Sequence, residues 1–289
     1  MQITIIEILK SILFGIVEGV TEWLPVSSTG HMILLEEFVE LNVSSEFWDL
    51  FLVVIQLGAI LAVVILFWKT IWPFKKVKTR SGKTKIIFRQ SILILWLKVL
   101  VACIPAAVVG ILFDDWIDEH FYTPVVVGTM LLVVGILFII IETVNSNKVP
   151  RVDRMRDLTF RDAFVIGLFQ LIAAVFPGTS RSGATILGGR MIGISRTVAA
   201  KFTFILAIPV MAGASLLKLV KYGLHFTGPE LAILGTGMVV AFVVSMVVIG
   251  LFMNYIRKHD FKVFGWYRIV LGILVLLYFL VLKRPVPGV

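Results

Sequence analysis

Residues 15–28 read GIVEGVTEWLPVSS, and residues 167–180 read GLFQLIAAVFPGTS. At a constant offset of 152, Gly15 meets Gly167, Glu18 meets Gln170, Pro25 meets Pro177 and Ser28 meets Ser180. Each stretch lies inside an apolar segment, roughly 5–40 and 160–192, and breaks it with proline among hydroxyl residues. Proline removes a backbone donor and biases the residue before it away from helix. Non-helical backbone at membrane depth is tolerated only where it is buried in protein or lines a wet cavity. Both segments therefore read as re-entrant helical hairpins. Three apolar runs follow each: roughly 47–72, 91–113 and 122–144, then 199–221, 230–256 and 264–282. A hairpin plus three crossings is an odd unit, so the second copy must be inverted. Broken helices meeting in an inverted repeat form a transporter-like architecture.

Composition agrees with that reading. Of 289 residues 59% are hydrophobic and 16% charged, against roughly 25% charged in a soluble domain. Mean hydropathy is +1.01. Each long run is sufficient to cross ~30 Å of hydrocarbon. The expected fold is an all-α integral membrane domain over 1–289, with about six full transmembrane helices and two re-entrant hairpins. Its inverted repeats cover 1–145 and 155–285. The single cysteine, Cys103, excludes an internal disulfide and reads as a buried thiol. The N-terminus lacks a basic region and an A-x-A site, so it does not read as a signal peptide.

The net charge of +9 does not point to nucleic acid, because basic residues of membrane proteins gather in cytoplasmic loops. Residues 69–90 carry Lys69, Lys75, Lys76, Lys78, Arg80, Lys83, Lys85 and Arg89 with no acid. Residues 148–161 hold five basic residues, and Arg257, Lys258 and Lys262 cluster further on. The opposite side carries Glu36, Glu37, Glu40, Glu46 and Asp49, then Asp114, Asp115, Asp118 and Glu119. Both termini are thus expected outside, with the first hairpin entering from outside and the second from the cytoplasm.

The polar residues of the two breaks carry the chemistry. Glu18 and Glu22 are four apart and share a helix face. A carboxylate at membrane depth costs on the order of 2.5–3.5 kcal/mol, and two adjacent ones repel. A divalent cation between them relieves both costs, since Mg2+ is held by one or two carboxylates plus phosphate oxygens. Exposure at a mouth, or a shared proton, is the plainer alternative. Ser27 or Ser28 is placed to cap the second half-helix, whose free N–H groups form an anion site with Thr29 beside them. His31 lies three residues past Ser28, the neighbour relation that a base-activated hydroxyl needs. The second break, FPGTSRSGATI at 176–186, adds Ser180, Arg181, Ser182 and Thr185. Guanidinium binds phosphate bidentately; pairing of Arg181 with Glu18 or Glu22 across the repeat is the structural alternative. Together these groups describe a phosphate-handling site.

EGVTEWLPVSSTGH and PGTSRSGAT resemble the two signature motifs of the undecaprenyl pyrophosphate phosphatases, the bacitracin-resistance family of bacterial plasma membranes. The likeness extends through VVIQLGAILAVV (53–64) and FTFILAIPVMAGA (202–214). Trp23 stands where phenylalanine is usual. The resemblance implies hydrolysis of undecaprenyl diphosphate to undecaprenyl phosphate and inorganic phosphate, for recycling of the peptidoglycan lipid carrier. It also implies dependence on a divalent cation, Mg2+ or Ca2+, and a site open to the outer face. It places the family's acid pair on Glu18 and Glu22, its serine on Ser28 and its histidine on His31. Its arginine motif falls on Ser180, Arg181, Ser182 and Thr185, and a loop aspartate on Asp157. Read from the residues alone, Asp157 is a solvated loop charge.

The expected roles follow. Glu18 and Glu22 hold the cation, and Glu22, Ser28, His31 and Arg181 are catalytic. Ser27, Thr29, Ser180, Ser182 and Thr185 bind the diphosphate. Ser28 activated by His31 is the favoured nucleophile, with His31 itself or water as alternatives. The third motif of the type 2 phosphatidic acid phosphatases needs a histidine six residues after its arginine, and that position here is Leu187. A polyprenyl phosphate transporter or flippase is the competing function. The partners are the lipid substrate and the bilayer, and a homodimer is left open.

Overall fold

The computed structural model describes residues 5–78, 84–223 and 225–282. Arg80 and Lys83 of the basic run lie outside them, as do the side chains of Asp114, Asp115 and Asp118. The first apolar segment forms α1 (Ile5–Thr21) and α2 (Ser28–Glu36); the second forms α7 (Phe160–Val175) and α8 (Arg181–Met191). Between them stand α3 (Ser45–Leu66), α4 (Trp68–Ile71), β1 (Phe74–Lys78), β2 (Thr84–Phe88), α5 (Gln90–Phe121) and α6 (Pro124–Val144). The chain closes with α9 (Arg196–Tyr222), α10 (Gly228–Tyr255) and α11 (Lys262–Leu277), which runs on into a π turn at Tyr278–Leu282. Among the described residues six helices are long and apolar enough to cross a membrane: α3, α5 over 90–113, α6, α9, α10, and α11 with its π turn. The protein is a multi-pass, mostly helical membrane protein.

The expected helical membrane architecture holds, with one addition and one change of bounds. β1 and β2 pair antiparallel, with Phe74 opposite Phe88 and Lys78 opposite Thr84. Val77, Thr84, Ile86 and Ile87 supply the β-branched residues that suit a pleated ladder, a signal masked by the lysines among them. The span placed at 47–72 ends at Leu66, and α5 continues past 113 to Phe121. The acids at 114–119, expected in an outer loop, therefore sit on the last turns of a helix.

The two hairpins pack reciprocally. α1 lies against α10, and α7 lies against α5. α3 packs on both α10 and α9, and α6 on α11. Gly15 and Gly167, equivalent in the two motifs, each permit one of these contacts. A Cβ on Gly15 would come 2.7 Å from the carbonyl oxygen of Gly237 in α10, and one on Gly167 would come 2.5 Å from that of Ala102 in α5. Neither position has room for a side chain. One core lies beside the breaks, where Trp23 is fully buried and meets Phe204 edge-on at 5.3 Å. Phe204 in turn meets Phe252, and Phe138 and Ile186 complete the cluster. The breaks are thus held against rigid aromatic packing.

Candidate active site

Each break ends in a serine with unusual backbone. Ser27 has φ 74° and Ser180 has φ 67°, the left-handed region that non-glycine residues seldom occupy. Strained backbone of this kind collects at functional sites. Both serines are N-caps: Ser27 Oγ accepts from the Gly30 N–H at 3.3 Å, and Ser180 Oγ from the Gly183 N–H at 3.1 Å. The equivalent residues are therefore Ser27 and Ser180. The constant offset had matched Ser28 with Ser180; two residues separate Pro177 from its cap but only one separates Pro25 from Ser27.

One carboxylate joins the halves. Glu22 Oε1 accepts from Arg181 Nη2 at 2.8 Å, and Glu22 Oε2 accepts from Ser28 Oγ at 2.8 Å. Arg181 is held from behind, its Nη1 donating to the Thr203 carbonyl at 3.1 Å. Ser182 Oγ lies 3.1 Å from the Glu22 carbonyl oxygen and 3.1 Å from Ser180 Oγ. So Glu22, Ser28, Ser180, Arg181 and Ser182 come together. Thr29 is half-buried in the first turn of α2, beside them in sequence.

Two residues are placed otherwise than expected, and Asp157 is the solvated charge that the residues alone suggested. His31 does not meet Ser28. Its Nδ1 is 2.7 Å from the Ser27 carbonyl oxygen, one helical turn back, and its Nε2 is 2.6 Å from the Tyr267 hydroxyl. The two rings are stacked, with centroids 5.6 Å apart. Ser28 and His31 share a helix face, but Tyr267 of α11 holds the imidazole while Ser28 turns back to Glu22. Thr185 is fully buried, donating to the Arg181 carbonyl at 2.8 Å and lying 2.8 Å from Thr203 Oγ1. It braces Arg181 and does not face an open site. Asp157 is half-exposed, 3.5 Å from Arg156 Nε. The 16 residues of α7 separate it from the break, roughly 24 Å along the helix.

Glu18 is buried one turn before Glu22, and its Oε1 has no hydrogen-bond partner. An orphaned carboxylate oxygen beside a second acid fits a divalent cation. No group of three or more His, Cys, Asp or Glu forms a metal cluster among the described residues. Two carboxylates completed by phosphate oxygens is a donor set that Mg2+ accepts.

The sequence reading passed over Arg268. It is fully buried in α11, with Nη1 donating to the Pro25 carbonyl at 3.3 Å and Nη2 to those of Gly178 at 2.8 Å and Thr179 at 2.9 Å. One guanidinium thus ties both breaks to one helix. Its signal was visible, since a lone charge in an apolar span marks a functional site by default. Tyr267 and Thr203 carried no comparable signal.

Fold and site together define a polytopic membrane protein whose polar centre is built where two interrupted helices meet. The chain belongs to the bacitracin resistance protein BacA family, whose model matches residues 11–274. Its relatives carry a more specific description. It is 60% identical over 275 residues to an undecaprenyl-diphosphatase of Desulfitobacterium hafniense, covering 95% of this chain and 97% of that one. It is 57% identical over 276 residues to undecaprenyl-diphosphatase 1 of Clostridium acetobutylicum, covering 96% and 98%. It is 55% identical over 277 residues to an undecaprenyl-diphosphatase of Enterococcus faecalis, covering 96% and 99%.

Proposed function

We infer that this chain hydrolyses undecaprenyl diphosphate to undecaprenyl phosphate and inorganic phosphate. The carrying observation is the Arg181–Glu22–Ser28 chain, which joins a hydroxyl, its proton acceptor and a guanidinium across the two breaks. The near full-length relatives named as undecaprenyl-diphosphatases support the substrate.

The geometry suggests how the residues share the work. Arg181 leaves Glu22 for the phosphate oxygens, where its fork binds two at once. Glu22 is then free to take the Ser28 proton. Ser28 Oγ attacks the terminal phosphorus as the bond to the bridging oxygen breaks, and undecaprenyl phosphate leaves. Water then releases phosphate from the serine. The N-terminal turns of α2 and α8, with Thr29, would meet the charge that develops, while Ser180 and Ser182 brace the second break. This assigns the base role toward Ser28 to Glu22, with His31 acting from the far side of α2. Glu18 and Glu22 would hold Mg2+ or Ca2+, which supplies charge neutralisation on the phosphates.

We also propose that α1–α2 and α7–α8 are re-entrant hairpins of an inverted repeat. In support, α2 has 9 residues and α8 has 11, only about 14 and 17 Å of helix. The charge bias of the loops favours a site open to the outer face of the plasma membrane.

The test is phosphate release from undecaprenyl diphosphate by the purified protein in detergent, with and without EDTA. Glu22→Ala, His31→Ala and Arg181→Ala are run beside the wild type. Release that requires metal and falls in all three variants supports one site built from both breaks. A folded wild type that binds the lipid without releasing phosphate would sink the enzyme reading in favour of transport, which the reciprocal helix packing also suits.

A further inference from the structure

The basic stretch after α3 has no part in the site, yet it is built. α4 and the β1–β2 hairpin stand between two span-forming helices, which places them at a membrane surface. Across the ladder Lys75 faces Ile87, Lys76 faces Ile86, and Val77 faces Lys85. Directly opposed residues share a face of the sheet, so both faces mix cations with apolar side chains. Trp72, Phe74, Ile86 and Phe88 are all more than two-fifths exposed. The Trp68 and Trp72 rings stack at 4.6 Å, and the row continues through Phe74 to Phe88 at 5.8 and 5.6 Å.

Between α4 and β1 lies a cleft of about 350 Å³, lined by Trp68, Lys69, Trp72, Phe74, Lys75 and Lys76. Arg89 also lines it. Its Nη2 donates to the carbonyls of Lys69 and Trp72, and its Nε is buried without a hydrogen-bond partner. No Asp or Glu occurs anywhere in 69–90. Nothing in the stretch itself neutralises these cations.

We propose that this cleft binds the phosphate headgroup of an anionic phospholipid, with the acyl chains lying along the Trp72–Phe74–Phe88 row. A cation favours an anionic leaflet, and aromatic rings favour the headgroup level. The cleft offers both at one place. A soluble acidic protein would match the charge but not the exposed aromatic row. The proposal does not depend on the catalytic reading.

Native mass spectrometry tests it, on protein extracted in detergent with equal phosphatidylglycerol and phosphatidylcholine. The wild type is expected to retain phosphatidylglycerol in preference. Near an anionic surface each lysine contributes about fivefold. The Lys69→Gln/Lys75→Gln/Lys76→Gln variant should therefore lose at least about tenfold of that preference. Arg257→Gln/Lys258→Gln, in a different basic loop, should keep it. Phosphate release by the triple variant, unchanged, shows that the site is intact. If the triple variant does not fold, Lys75→Gln/Lys76→Gln on the exposed strand takes its place. No preference in the wild type overturns the proposal, as does a preference untouched in the lysine variants. Displacement of the lipid by inorganic phosphate alone would overturn the lipid assignment.

Discussion

His31 is decided by which ring nitrogen carries the proton. Nδ1 faces the Ser27 carbonyl, an atom that only accepts, so Nδ1 bears the hydrogen. In the neutral ring Nε2 is then the basic nitrogen and accepts from Tyr267. Tyr267→Phe removes that donor and leaves the ring stack. A neutral hydrogen bond is worth about 1 kcal/mol, so kcat for phosphate release should fall about fivefold with KM little changed. A raised KM at unchanged kcat would instead make Tyr267 a substrate contact. The orphaned oxygen of Glu18 supports a second expectation. If Glu18 and Glu22 hold the proposed cation, removing the Glu18 charge takes away half of its carboxylates. Glu18→Gln should shift the Mg2+ concentration for half-maximal activity upward by at least about tenfold, since even outer-shell changes cost that much. An unshifted metal curve would place the cation elsewhere.

Breaks and caps belong to the scale of elements. Arg268 satisfies the carbonyls of Pro25, Gly178 and Thr179 at once. Arg268→Met leaves them buried and unpaired, at about 1–3 kcal/mol for each such group. The variant should unfold at a clearly lower temperature in detergent, and phosphate release should fall with it. An unchanged midpoint would mean that the carbonyls find other partners. The two breaks were legible because proline and clustered hydroxyls punctuate apolar helix at matched places. Arg181 was legible as an intramembrane charge, and its pairing with Glu22 stood among the alternatives. The caps were not fully legible, because one extra residue after Pro177 shifts the register without a trace in the pattern. Nor was the His31–Tyr267 contact, which depends on how α2 and α11 pack across 236 residues. The β hairpin was hidden because its lysines read as a loop, while strand pairing needs only alternation and a partner.

For the whole molecule, the reciprocal packing has a consequence for sidedness. α1 pairs with α10 and α7 with α5, while α3 meets α9 and α6 meets α11. Each hairpin therefore leans on a span from the other half, and an inverted repeat makes this exchange by symmetry. On the proposed inverted repeat, the two half-helix N-termini would converge from opposite leaflets. That proposal puts the ends of the hairpins on opposite sides, with the basic loops inside. Phe38, just after α2, and Val149, between α6 and α7, are both highly exposed and suit single-cysteine labelling in a Cys103→Ala background. A membrane-impermeant maleimide on intact cells should label Phe38→Cys and spare Val149→Cys until the membrane is permeabilised. Labelling of both from outside would break the inversion. Labelling of Val149→Cys alone would turn the site toward the cytoplasm, and the enzyme would then act on substrate presented at the inner leaflet.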